Sequence, residues 1–300
     1  MSGPGPAGLA GRRVVVTGAA GGIGRAVAGE LARRQARLVL VGRRAAPLRE
    51  LAAALPGGPH EALPLDVTDE AGWGRAADRW RREGPIHGLV TAAAVLGPIG
   101  PAGSWPVEEF RRTLEVNVVG TLVPVTALLE LMEAGRGAVV TYSGGGATGP
   151  FPRYDAYAAS KAAVVRLTEN LAGDLAERGV RINAVAPGFV ATDMHRATLA
   201  AGPDRAGAGY FERTERAVSA GGPVSGDGPA PGGGADPPGP AAELTAFLLS
   251  DEAAGITGRL ISARWDPWTD PAFRDRLRCE PDLATIRRID EQFFATRGDR

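Results

Sequence analysis

Apolar residues fall into short unbroken runs along the chain, separated by longer stretches with helical spacing. The runs at residues 13–17, 37–41, 61–65, 86–92, 138–143, 180–186 and 259–263 do not alternate with polar residues. That pattern is expected of strands covered on both faces. Helical segments are predicted between them, including 22–35, 106–133 and 154–178. Regular alternation of strand and helix predicts an α/β fold, a doubly wound Rossmann-like parallel sheet of about seven strands with helices on both faces.

Two stretches break the rhythm. Residues 221–240 carry almost no apolar mass and are crowded with glycine and proline, which predicts a mobile low-complexity insertion. The chain after residue 240 has the pattern of another helix and strand of the same sheet, so the expectation is one catalytic domain over residues 11–263. A C-terminal extension, 264–300, begins with Trp265 and Trp268. In it Leu283, Ile286, Ile289 and Phe293 are spaced for one apolar helical face, to pack on the domain or on a neighbouring subunit.

Composition narrows the function. The chain of 300 residues is 44% hydrophobic, enough for one large core, and its formal charge balances at zero. Without a basic surplus, nucleic acid and anionic membrane are not expected partners. Cys279 is the sole cysteine, and His60, His87 and His195 lack ligand spacing, so neither a disulfide nor a metal site is expected. The first ten residues do not form a basic start followed by an apolar stretch. No later run is read as approaching the length that spans a bilayer, and the expectation is a soluble cytoplasmic protein.

The first strand runs into Thr17-Gly18-Ala19-Ala20-Gly21-Gly22-Ile23-Gly24 and then a helix. Glycines in such a turn let the backbone approach a pyrophosphate, whose charge the free amides and helix dipole stabilise. The second strand ends in Gly42-Arg43-Arg44, where an NAD-preferring site would usually carry a carboxylate for the ribose 2′-hydroxyl. Arginine pairs with a 2′-phosphate instead, which favours NADP, with NAD possible, and makes Arg43 the leading candidate.

One lysine, Lys161, stands among 34 basic residues, four places after Tyr157. A sequence this averse to lysine retains one where a compact, rotatable ammonium is needed and a planar guanidinium does not serve. The spacing places both side chains on one helical face. A phenol ordinarily titrates near 10, and a neighbouring ammonium is expected to favour its ionised form, bringing proton exchange with a carbonyl oxygen into range.

With the glycine turn first and Tyr157-x-x-x-Lys161 later, the chain resembles the single-domain branch of the short-chain dehydrogenase/reductase family over about residues 11–262. The resemblance implies that Asp66, followed by Val67, contacts adenine. It implies that Asn117 positions a water leading to the lysine, and that Pro187-Gly188-Phe189-Val190-Ala191-Thr192 lines the nicotinamide. It also implies that Lys161 bonds the nicotinamide ribose, and that the protein is a homo-oligomer, dimer or tetramer, joined through helices 106–133 and 154–178.

Three departures stand out. The family's substrate-orienting serine lies thirteen residues before the tyrosine, where this chain has Gly144; Ser143 is the nearest hydroxyl and the candidate catalytic replacement. Thr91-Ala92-Ala93-Ala94 replaces a run containing two asparagines, leaving Thr91 to retain one bracing bond. Arg264-Trp265-Asp266-Pro267-Trp268 replaces the usual end of the site. Residues 193–220 are expected to form a lid suited to a moderately polar carbonyl or alcohol, with His195 read as a solvated lid residue and substrate contact as the alternative. A catalytically weak nucleotide-binding regulator or scaffold is the rival reading. A sugar-nucleotide epimerase or dehydratase of the extended branch is disfavoured by the glycine spacing.

Overall fold

The computed structural model describes residues 8–190, 192–219 and 238–287. The predicted insertion falls outside these residues up to 237, as do Ile289 and Phe293. Strand β1 (Arg13–Thr17) is buried at every position because it lies between β2 (Arg37–Gly42) and β4 (Gly88–Thr91), parallel to both. With β3 (Glu61–Pro64), β5 (Ala138–Tyr142), β6 (Arg181–Ala186) and β7 (Leu260–Ser262) it forms a seven-stranded sheet, order β3-β2-β1-β4-β5-β6-β7. Every pairing is parallel.

Alternate residues of each strand feed two cores. Val14, Val16 and Val90 meet α1 (Gly22–Arg33), α2 (Ala45–Ala54) and α9 (Gly239–Leu249) on one face. Val15, Val39 and Leu89 meet α3 (Glu70–Arg81), α5 (Gly120–Ala134) and α6 (Asp155–Glu177) on the other. Burial on both faces accounts for the unbroken apolar runs.

The long central helix is continuous from Val107 to Ala134. It comprises α4 (Val107–Leu114), a π-helical turn at Glu115–Val119, and α5. By length and composition it could cross a membrane, contrary to the expectation that no run approaches that length. Its C-terminal part is apolar because Val123, Leu128 and Met132 are buried in the core beneath the sheet.

The C-terminal extension also departs from expectation. Its helix is α10 (Pro271–Cys279), with Phe273 and Leu277 in the first core, while Leu283 and Ile286 lie beyond it in non-helical chain. There the backbone N–H of Leu260, in the edge strand β7, donates to the Ala284 carbonyl at 2.7 Å. Periodicity alone could not distinguish a helical stripe from a segment held against a sheet edge. Two further helices, α7 (Asp193–Ala206) and α8 (Ala208–Ser219), pack on each other above the sheet's carboxyl end.

Candidate active site

A cleft of about 1100 Å³ opens where the carboxyl ends of β1 and β4 diverge, the point at which the sheet's winding reverses. At one end lies the glycine turn. Gly18 has φ +64°, and a β-carbon there would come within 2.7 Å of Ala93; one on Gly24 would strike the Gly18 carbonyl. The turn closes tightly only without side chains. It delivers α1 with no side-chain cap and no acid in its first turn, so backbone amides of the initial residues remain for a ligand. Such an end fits a pyrophosphate. Gly22 and Ile23 line the cleft, and the Thr192 methyl sits 2.8 Å from where a Gly22 β-carbon would be, seating the start of α7 on the turn. Thr17 is fully buried behind this turn and accepts a hydrogen bond from the Ala93 N–H at 3.3 Å, bracing β1 to the chain beyond β4.

Arg43 and Arg44 are exposed on the cleft beyond β2, and among the described residues neither forms an ion pair with a carboxylate. Asp66 lies opposite, beside Val67. Its Oδ1 accepts from the Thr68 N–H (3.0 Å) and Oγ1 (2.9 Å). The Thr68 backbone bond, aided by the Thr68 hydroxyl, Arg43 and Arg112, holds this carboxyl below its ordinary range.

Helix α6 brings Tyr157 and Lys161 to the middle of the cleft, and Ser143 lines it from the end of β5. The Lys161 ammonium is buried, donates to the Tyr142 carbonyl at 3.0 Å and lies 5.7 Å from the Tyr157 ring centroid. Burial pushes the Tyr157 phenol up to about 12 and the Lys161 ammonium down to about 8. The expected lowering of the phenol by the ammonium does not appear: burial is the one cause of the Tyr157 shift. Part of Tyr157 stays open to the cleft.

Gly144 explains how Tyr157 sits. A β-carbon at Gly144 would lie 2.5 Å from the Tyr157 hydroxyl, so the phenol occupies the space a side chain at this position would take. Among the described residues no hydrogen bond joins the Ser143 and Tyr157 side chains.

Asn117 is fully buried in the π-helical turn and does not face the cleft. Its amide accepts from the Val95 N–H (2.8 Å) and donates to the Val95 carbonyl and to Ser160 Oγ, both at 2.9 Å. Ser160 in turn donates to the Tyr157 carbonyl at 2.7 Å. One asparagine thus ties the chain beyond β4 to the helix that carries the tyrosine. Sequence reading missed Ser160, although it stands beside Lys161. Thr91 does not keep a bracing bond: its Oγ1 is buried without a partner.

Pro187, Gly188 and Thr192 line the cleft on the side where α7 begins. His195 is not the solvated residue expected. It is buried, its Nδ1 accepts from the Thr192 N–H at 3.1 Å, and its ring meets Phe189 edge-on. Burial holds its imidazole down to about 4, so it is neutral at physiological pH. Phe151 and Tyr210 give part of the remaining wall an aromatic face, with Tyr154 buried behind them, a feature the sequence reading found only in part. Phe151 stacks on Tyr154 at 4.3 Å, and Tyr210 meets both edge-on. Trp268 is buried against Phe247, whereas Trp265 stands exposed at the cleft mouth.

A profile of the short chain dehydrogenase family matches residues 12–201. D-threitol dehydrogenase of Mycolicibacterium smegmatis is 38% identical over 194 residues, 63% of this chain and 74% of that protein. The structure of an NAD+-bound xylitol dehydrogenase superposes with a TM-score of 0.73 at 27% identity, over 85% of this chain and 98% of that one. A Beutenbergia cavernae protein described as an NAD(P) dependent gluconate 5-dehydrogenase, with NADP bound at low occupancy, gives 0.71 at 33% identity, over 86% and 97%. The glycine turn, Tyr157 and Lys161 lie within residues 12–201, and the chain belongs to the short-chain dehydrogenase family of NAD(P)-dependent oxidoreductases.

Proposed function

We propose that this enzyme prefers NADP and interconverts a small or medium ketone and its secondary alcohol, with Tyr157 as the proton donor and acceptor. The reading rests chiefly on the meeting of the Tyr157 phenol and the buried Lys161 ammonium in the cleft onto which the uncapped α1 opens. A nicotinamide cofactor, when bound, supplies or accepts the hydride. Tyr157 gives its proton to the carbonyl oxygen in reduction and takes it back in oxidation. Lys161, fixed by the Tyr142 carbonyl, keeps a positive charge near that oxygen and the cofactor ribose. Ser143 offers the nearby hydroxyl that orients the substrate. Gly18, Gly22, Ile23 and Gly24 cradle the pyrophosphate, with Asp66 and Val67 at adenine and Pro187, Gly188 and Thr192 at the nicotinamide. Arg43 takes the 2′-phosphate, assisted by Arg44.

The catalytic unit on this reading is a single domain, 11–263, with the C-terminal extension closing one core. It works in the cytoplasm as a homo-oligomer on a small molecule; Val107 and Leu122, exposed apolar residues of the long helix, support an interface there.

The test measures kcat/KM with NADPH and with NADH across ketones and alcohols. Tyr157→Phe is expected to lose about 10²–10⁴-fold in kcat, the usual contribution of a positioned acid or base, with cofactor binding retained. Arg43→Ala is expected to weaken NADPH about tenfold while sparing NADH, as loss of a charge-assisted phosphate contact predicts. Undiminished turnover by Tyr157→Phe sinks the catalytic assignment, and an unchanged cofactor preference sinks the NADP assignment. The lack of a hydroxyl side chain at Gly144, whose place the Tyr157 phenol fills, favours a second reading, a catalytically weak NAD(P)-binding regulator. Tight NADPH binding with no oxidation on any substrate would select it.

A further inference from the structure

We propose that the substrate carries a carboxylate and that Arg213 recognises it; the proposal rests on the oxidoreductase reading of the same cleft. Arg213 is exposed on α8 and lines the cleft, with its guanidinium carbon 4.3 Å above the Phe189 ring. A guanidinium stacked on a ring engages its face and leaves N–H donors around its edge, the fork that fits a carboxylate.

The face of α8 that carries Arg213 has no acid. The residues three and four places away on the helix are Gly209, Tyr210, Arg216 and Ala217, none of them acidic. Among the described residues no carboxylate forms an ion pair with Arg213, whereas other surface arginines such as Arg81 and Arg276 sit beside Glu130 and Glu280. The cleft itself is one-sided in charge. Asp66 is the one acid among its described lining residues; it stands at the adenosine end and is already bonded to Thr68.

Adjoining rings link Arg213 to the reacting end. Phe189 beneath it meets Tyr210 edge-on at 5.8 Å, and Tyr210 packs in one cluster with Tyr157. Neutral His195 adds no competing positive charge beside Arg213. Phe151 and Tyr210 line the cleft in one apolar cluster with Tyr157, and Tyr210 also meets Phe189, the ring beneath the cation. The substrate class that satisfies wall, phenol and cation together is a keto or hydroxy acid with an apolar or cyclic body, its carboxylate directed to α8.

The experiment compares 4-oxocyclohexanecarboxylate, its methyl ester and cyclohexanone as substrates for the full-length enzyme with saturating NADPH or NADH. Wild type is expected to favour the acid over the ester at least tenfold in kcat/KM, through KM. Arg213→Gln should abolish that preference and Arg213→Lys should keep part of it. Equal use of acid and ester by wild type, or a preference that survives Arg213→Gln, overturns the proposal and leaves the oxidoreductase reading standing. If no ketone is reduced, calorimetry of the NADP-saturated enzyme with benzoate and benzamide decides separately. Tighter benzoate binding that Arg213→Gln removes upholds the anion site while the catalytic reading fails; equal binding overturns the site as well.

Discussion

At the scale of single residues, Lys161 is held where an ammonium is costly. Its folded pKa, near 8, lies below the 10.5 of a free lysine, so between these values the unfolded chain binds the proton more strongly and stability rises with pH. Below pH 8 the buried charge opposes folding in full. Lys161→Met should therefore abolish turnover, and its stability relative to wild type should fall on going from pH 7 to pH 10, by on the order of 2–3 kcal/mol. Denaturant melts at the two pH values check this, and a pH-independent difference contradicts it. Tyr157 shifts the other way: raised above 10, it keeps its proton in the folded state, as a general acid for ketone reduction requires. The tyrosine and lysine were legible because four-residue spacing on a helix fixes a shared face. The role of Gly144 was not, because an absent side chain acquires meaning only when the phenol filling its place is seen.

At the scale of elements, β4 and the long helix show how the cleft is supported. The strand ends at Thr91, and the chain beyond it is held by Thr17 at Ala93 and by Asn117 at Val95. Thr91 contributes a buried hydroxyl without a partner, which costs stability. Thr91→Val keeps the shape and removes that group, so calorimetry should show a gain of about 1 kcal/mol, or a rise of about 2 °C in Tm for a chain of this size. A loss of stability would mean that the hydroxyl has a partner after all. Asn117 reaches both Val95 and Ser160 from a π-helical turn in an otherwise regular helix. Helical periodicity predicted that helix but not its local widening, because one residue's change of hydrogen-bond register barely disturbs the apolar pattern.

At the scale of the whole molecule, the C-terminal extension is built into the core. Leu277 is fully buried in the cluster that contains Val14 and Phe247, and Trp268 packs on Phe247. Leu277→Ala should cost about 2–5 kcal/mol, as large-to-small core changes do, and lower Tm without altering cofactor specificity. A change within error would show that the extension packs only loosely. The sequence by itself determined the strands, most helices, the parallel class, the glycine turn and the Tyr157–Lys161 pair. These depend on local rules: unbroken apolar runs for strands covered on two faces, glycine where the turn admits no side chain, and four-residue spacing on a helix. Tertiary structure decided that His195 is buried and neutral, that Asn117 braces instead of facing the cleft, that the tail closes a sheet edge, and that Arg213 stands on an aromatic wall with no carboxylate paired to it among the described residues. Each of those depends on which distant segments meet and on how much water their meeting excludes, and neither is encoded in the spacing of neighbouring residues.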